Sequence, residues 1–471
     1  MKKQIPLTFS ILALFSCSQE MVTETNESPE MRLLPQEESF LIDRNSIDLT
    51  SDDARNVAMR FTSNGTDTRA SSGSPSVETV YDHSLGIPLV HVVNFGDDNG
   101  YVIVSATKKE SPVLAYSETG RYEIDCPYTT DDYLEMYKSR IKAASLDTSD
   151  SLRAMHALEW AVFEKADTEE SLTRGTSDIN QMIQAEIARK TAMGYTYIGK
   201  LSAAASYLSP EDYQSLVKDI SSHTDPDYNY NDVTLFFIRS YETNKIGPLM
   251  GTKWHQGYPF NVGASNGLAG CVPIAVAQIA YYHKYPSKYD WSQIYTYPIL
   301  NSAFETFILD IREYCDVEYK DGETSADYND AYDAFIDLGY QASKDGAPST
   351  DKLWRSINSN NPVFICGSND SGGGHAWVCE GYHDISYDGS ISMVIDPRYG
   401  PTSPNNPYYD YPVKVYPPSS SLMYTGDYFY MNMGWEGQND GWFRANSYNP
   451  NSTDPSNLNF LNDQKIITVK R

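Results

Sequence analysis

The sequence predicts an α+β protein built from more than one unit, and three observations lead there. Its 471 residues exceed the length over which one hydrophobic core keeps growing. Two β-rich runs, "PLVHVVNF" and "YVIVSA", flank a Gly-Asp-Asp-Asn-Gly-type turn, which is a hairpin. In the last part, from about 241, helical patterns come first, and segments rich in Val, Tyr, Phe and Trp follow among Gly and Pro.

In chain order, "MKKQIPLTFSILALFSC" joins a lysine pair to an apolar stretch from Ile5 to Phe15 and a small residue before Cys17. This is the pattern of a secretion signal, residues 1–17, and it is too short to stay as a membrane span. A polar tether, 18–35, follows. Leu14-Phe15-Ser16-Cys17 resembles a bacterial lipoprotein processing site, in which the cysteine becomes the lipidated first residue; plain secretion is the alternative. The expectation is an exported protein, either an outer-membrane lipoprotein or periplasmic or extracellular after processing. Its only membrane contact would be an anchor at Cys17.

Residues 51–61, "SDDARNVAMRF", space Ala54, Val57, Ala58 and Phe61 as one helical face behind a Ser-Asp start. With the hairpin and a third strand in "SPVLAYSETGRYEI", residues 36–125 form a small α+β unit. From 126 to 240 the texture is helical: "SDSLRAMHALEWAVFEKA" sets Leu152, Met155, Leu158 and Val162 near one face, and "LSPEDYQSLVKDI" has a Ser-Pro-Glu start. The polar stretches "DTEESLTRGTSD" and "SSHTDPDYNYND" are expected to be exposed and open to proteolysis. Residues 241–471 form the last unit, with strands in "NPVFICGS", "HAWVCEGY", "ISMVIDP" and "DYFYMNMGW".

A formal net charge of −27 gives a field that repels phosphates, so nucleic acid is excluded as a partner. Beyond Cys17 the cysteines are Cys126, Cys271, Cys315, Cys366 and Cys379, an odd number without metal-site spacing. Cys366 and Cys379 flank a glycine-rich turn, which leaves open either a cross-hairpin disulfide or two buried thiols.

The chemistry centres on "SNGLAGCVPIAVAQIAYYHKYP". Cys271 opens an apolar helix, where the dipole and unpaired N–H groups stabilise a thiolate. Pro273 suits a helix start, and Gly267 and Gly270 permit close approach. An inert core cysteine is the plain alternative. His375, after three glycines and at the start of a strand, could take and return the thiol's proton, as acyl transfer requires. His283, at the helix end, is expected to cap or pack. Gln256 offers a neutral donor for an oxyanion, with the Cys271 N–H as the second. Asn432 could accept from the imidazole and Trp435 could shield that bond, although both could equally be turn and core residues.

Four segments, "PLMGTKWHQGYPFN", "GLAGCVPIAVAQIAYYHKYP", "NPVFICGSNDSGGGHAWVCEGY" and "NMGWEGQNDGWF", in that order, resemble the streptopain family of papain-like cysteine peptidases. "VHVVNFGDDNGYVIVSATKKESPVLAYSETG" resembles that family's inhibitory propeptide. The resemblance implies a papain-like domain over 241–471, its central helix carrying the cysteine and its antiparallel sheet the histidine. An inhibitory propeptide over 36–125 and a helical extension over 126–240 would precede it. Carried over by position, Cys271 is the nucleophile, His375 the general acid/base, Gln256 part of the oxyanion hole, and Asn432 or Trp435 the orienting residue. Protein or peptide substrates are implied, with the propeptide as internal inhibitor and no metal or organic cofactor. A cut between about 220 and 247 would free the enzyme from its inhibitor and from Cys17.

Two departures bear on specificity. Met433 stands where the family has a tryptophan, and "DPRYGPTSPNNPYYDYPVKVYPPSSS" interrupts the strands after His375. Two other readings stand beside the endopeptidase: a Cys-His amidase acting on peptidoglycan, and a silent binding protein that keeps a peptidase fold.

Overall fold

The computed structural model describes residues 49–63, 74–124, 132–147, 151–163, 178–205, 210–222, 233–265, 267–320, 323–368, 374–394, 411–412, 423–445 and 462–471. The signal, the tether, Cys17 and Cys126 lie outside these residues, as does most of the segment 396–421.

Helix α1 (Ser51–Ser63) has Asp52 and Asp53 in its first turn and Arg60 in its last, charges that complement the helix dipole. Four antiparallel strands follow: β1 (Ser76–Asp82), β2 (Ile87–Asn94), β3 (Tyr101–Ser105) and β4 (Val113–Ser117). Strands β2 to β4 are those the sequence predicts. Strand β1, "SVETVYD", escapes notice because it is half-exposed and follows a Ser/Gly-rich stretch.

Next come α2 (Asp132–Leu146), α3 (Ser151–Phe163), α4 (Asp178–Ala192), β5 (Thr196–Lys200), α5 (Leu201–Ala204), α6 (Pro210–Ser222) and β6 (Thr234–Ile246). The region 126–240 is therefore not helical throughout. Strand β6, "TLFFIRSYETNKI", is rich in β-branched and aromatic residues and pairs along its length with the later strand Gly374–Met393 and at its start with β5, so the boundary at 240 falls inside a strand.

The remaining elements are α7 (Cys271–His283), α8 (Ser302–Tyr314), β7 (Glu318–Lys320), β8 (Glu323–Ser325), α9 (Tyr328–Asp337), β9 (Gln341–Gly346), α10 (Thr350–Asn358), β10 (Val363–Ser368), β11 (Gly374–Met393), β12 (Tyr411–Pro412), β13 (Met423–Asn432), β14 (Gly441–Arg444) and β15 (Asn462–Lys470). Side chains of Asn301, Asp327 and Ser349 cap α8, α9 and α10. Helices ahead of an antiparallel sheet make this half α+β, as predicted.

One sheet joins both halves in the order β1-β2-β3-β4-β14-β13-β11-β10-β15-β9, with β6 and β12 also on β11. Strand alternation divides its core. Phe364, Cys366, Ala376 and Val378 pack with α7, whose residues are buried except Tyr282. Val363, Ile365, Trp377 and Cys379 face the other way, into a core shared with β2–β4 and α2. Cys366 and Cys379 therefore lie on opposite faces, and both are thiols; the register, not the spacing across the turn, rules out a bridge. A third core packs α1, α3, α5 and α6 against Tyr116, Phe236, Tyr428 and Trp442.

Ions also cross between the halves. Arg444 of β14 pairs with Glu159 of α3 at 2.8 Å, both fully buried, and His156 bonds Glu159 at 3.2 Å. Beside them Arg140 pairs with Glu110 at 2.8 Å. Burial alone would raise Glu110, but Arg140, His156 and the Ser111 N–H together hold it below the ordinary carboxylate range.

Candidate active site

Helix α7 begins at Cys271 because Gly270, its N-cap, has φ 96° and ψ 143°, a turn that a residue with a Cβ rarely makes. Cys271 thus occupies the first turn, where backbone N–H groups lack helical acceptors. It lines a small cavity with Gly270, Val272, Pro273, Val317, Thr324, Ala326 and Gly374. Gly374 immediately precedes His375, so β11 starts at the thiol's own cavity.

The backbone of Gln256 is tied to the lead-in to α7. Ala269 N–H donates to the Gln256 carbonyl at 2.8 Å, laying residues 254–256 along the approach to α7. The same segment reaches the opposite wall, where Glu436 N–H donates to the Trp254 carbonyl at 3.2 Å. Trp254 anchors it in the core, its indole donating to the Thr296 carbonyl at 2.8 Å.

The His375 ring stacks on Trp435, with centroids 4.4 Å apart at 26°, and lies parallel to Trp377 at 5.8 Å. Its Nε2 donates to the Met433 carbonyl at 2.9 Å. A carbonyl can only accept, so the neutral ring carries its proton on Nε2 and Nδ1 is the basic nitrogen. Among the described residues, the ring's contacts are Trp435, Trp377 and the Met433 carbonyl. Met433 acts here through its backbone, so replacing a tryptophan with methionine at this position leaves the contact intact.

The expected bond from His375 to the Asn432 side chain is not formed. Asn432 pairs with Val378 across β13 and β11, and paired residues share a face, the α7 face in this case. His375 belongs with Trp377 on the other side. The Asn432 amide instead donates to the Thr252 carbonyl at 2.7 Å and to Glu380 at 3.0 Å, and it accepts from Gln278 at 3.2 Å and from Gly434 N–H at 3.2 Å. The groups that touch the ring are the Met433 carbonyl and Trp435 instead. His283, as expected, packs: it bonds Tyr340, and burial lowers it to about 4.

Sequence reasoning missed Gln278, Glu380 and Asp440. Gln278 is a polar residue in an otherwise apolar run, and Glu380 is a charge inside an apolar strand; each needs buried partners, which is a readable signal. Burial raises Glu380 despite the Met250 N–H and the Asn432 amide that favour its charge. Asp440 accepts Met433 N–H at 2.7 Å, and burial, with Glu380 nearby, pushes it up to about 8.

Comparison with known proteins adds the context of this geometry. Residues 46–142, from before α1 through most of α2, match the Spi protease inhibitor family. The chain is 22% identical over 371 residues, 65% of its length, to the thiol protease/hemagglutinin PrtT of Porphyromonas gingivalis, and it spans 38% of that relative. Among solved structures it is similar to a prointerpain A fragment of Prevotella intermedia, 16% identical, over 83% of this chain and 98% of the other, at a TM-score of 0.39. The inhibitor match and the thiol-protease relative bear out the streptopain-type resemblance of the sequence.

Proposed function

We propose that the chain is the latent precursor of a cysteine endopeptidase. The observation that carries this is the seating of the inhibitor-like module on the wall that holds His375. Tyr133 of α2 meets Trp377 edge-on at 6.0 Å and Phe443 at 4.4 Å, and Leu134 and Tyr137 share a core with Trp377, Met433 and Trp435. The module also continues the sheet, since β4 pairs with β14.

In the proposed reaction the Cys271 thiolate adds to a peptide carbonyl, and the oxyanion is held by the Cys271 N–H and the Gln256 amide. The C–N bond breaks as imidazolium His375 gives its proton to the leaving amine, which leaves a thioester on Cys271. Water, deprotonated by His375, then releases the acid and restores the thiol. Trp435 keeps the ring flat and screened. No resident metal or organic cofactor takes part.

Activation by a cut before the catalytic half is part of the proposal. Strand β6 is hydrogen-bonded to β11 across Thr234–Ile246, and a protease needs an unpaired, extended chain, so the cut falls to one side of β6. The N-terminal signal pattern and Cys17 support an exported, lipid-anchored precursor. Export would be checked by fractionation and by loss of membrane association in Cys17→Ala.

The test of function incubates residues 18–471 with casein and with E-64, alongside Cys271→Ala. Processing, casein cleavage and labelling that all require Cys271 are expected. If none occurs, even after limited trypsin treatment, the endopeptidase reading fails; muropeptide hydrolysis in the same samples would replace it with amidase activity.

A further inference from the structure

A continuous series of hydrogen bonds runs from the His375 ring to a buried carboxylate on its own strand. His375 Nε2 donates to the Met433 carbonyl at 2.9 Å. The N–H of that same peptide unit belongs to Gly434 and donates to Asn432 Oδ1 at 3.2 Å. Asn432 Nδ2 in turn donates to Glu380 Oε1 at 3.0 Å.

Each direction is chemically forced. Gly434 N–H can only donate, so the atom facing it is the Asn432 oxygen. The Thr252 carbonyl can only accept, so the atom facing it is the Asn432 nitrogen. Gln278 is equally fixed, because its oxygen takes the Thr252 hydroxyl proton at 2.6 Å while its nitrogen donates to Asn432.

We propose that Glu380 is a positioning residue for His375, acting through the Asn432 side chain and the Met433–Gly434 peptide; this rests on the reading of His375 as the acid/base. Two conjugated amides stand in series between ring and carboxylate, each accepting at oxygen and donating at nitrogen. Drawing the Asn432 N–H toward a carboxylate enriches its oxygen, which strengthens the pull on Gly434 N–H and makes the Met433 carbonyl a better acceptor for the ring proton. The effect is to hold the proton on Nε2, keep Nδ1 basic and stabilise the imidazolium when it forms.

The local backbone is built for this relay. Gly434 has φ 74°, a left-handed conformation at the one residue whose peptide must turn its carbonyl toward His375 and its N–H toward Asn432. Asp440 fixes the preceding N–H, that of Met433, at 2.7 Å. Gln278 lies on α7, two turns below Cys271, and so ties the relay to the helix that carries the thiol. The second oxygen of Glu380 accepts Met250 N–H, which orients the carboxylate. In Glu380→Gln one of the two donors must face an NH2 group, so the substitution removes the charge and one of the two acceptors at the end of the relay without removing bulk.

The test follows histidine ring nitrogens in the ¹⁵N-labelled full chain by long-range ¹⁵N–¹H correlation, His375 being assigned from the signals absent in His375→Gln. The wild type is expected to show His375 as the Nε2–H form. Glu380→Gln and Asn432→Ala, either of which suffices if the other fails to fold, should move it to a mixture of tautomers. In the processed enzyme they should lower kcat on the order of tenfold with KM within about twofold, part of the 10²–10⁴ that a placed acid–base contributes. Unchanged His375 signals and kcat, with only a lowered Tm, would make Glu380 a strand-packing residue and overturn the proposal, as would a wild-type ring protonated on Nδ1. Tautomer shifts in a protein that cleaves no casein would uphold the positioning and sink the peptidase reading instead.

Discussion

Two buried polar clusters lie on this one sheet and are built on opposite rules. Around His375, the carboxylates of Glu380 and Asp440 are met by backbone N–H groups and a side-chain amide, and burial raises both. At the join of the halves, Glu159 is met across it by Arg444, and beside it Glu110 is met by Arg140 of its own half and held low. The first cluster is neutral in its partners and drawn largely from the second half of the chain. The second is ionic and drawn from both. The difference teaches that a hydrogen-bonded amide network fixes the direction of a ring, whereas paired charges fix the cohesion of two bodies.

The sharpest way to break the comparison is at the ionic cluster. Arg444→Met leaves Glu159 buried without its cation and should destabilise the full chain by about 3–5 kcal/mol in denaturant unfolding, while Glu159→Leu with Arg444→Met should recover most of that loss. Equal losses in single and double variants would show that packing, not charge, holds the halves.

A smaller effect tests the other cluster. Asp440 has its folded pKa raised from 3.8 to about 8, so the native state binds this proton more tightly than the unfolded chain. Its contribution to stability is full below about pH 4 and is lost as pH rises toward 8. Asp440→Asn removes that titration and keeps an acceptor. Between pH 5 and 7 its stability should rise relative to wild type by about 2–3 kcal/mol, read from unfolding at each pH. Glu110, whose folded pKa is lowered, has the opposite sign: its contribution is present above its unfolded value and is lost on acidification. Parallel pH profiles for Asp440→Asn and wild type would erase the contrast.

The smallest effect expected is at the stack. Trp435→Phe keeps an aromatic face on His375 with less area and no indole, and should lower kcat several-fold, about 0.5–1.5 kcal/mol of lost ring contact, with little change in Tm. A large fall in Tm would place Trp435 with the core instead.

What could be read from the sequence was local. Cys271 at the head of an apolar helix, the β2–β3 hairpin and His375 at a strand start each follow from neighbours within a turn or a pleat. What could not be read depends on register between distant strands. Asn432 misses His375 because it pairs with Val378, and no periodicity in either strand reveals that pairing. Strands β5 and β6 were hidden among helices because their partner for most of β6, β11, lies far along the chain. Glu380 stood in plain view as a charge in an apolar strand, yet its partners, Met250 and Asn432, come from two other segments.

Where β4 continues the sheet from β14, the two strands meet through two register pairs, Trp442 with Tyr116 and Phe443 with Ala115. Any event that parts β4 from β14 therefore uncovers a raw strand edge on the half that keeps Cys271, a row of backbone donors and acceptors ready to recruit another chain. Arg444, freed from Glu159 at the same moment, would stand on that edge as a charge. The residue that ties α3 to β14 in the joined chain would then be the charge that opposes self-association along that edge.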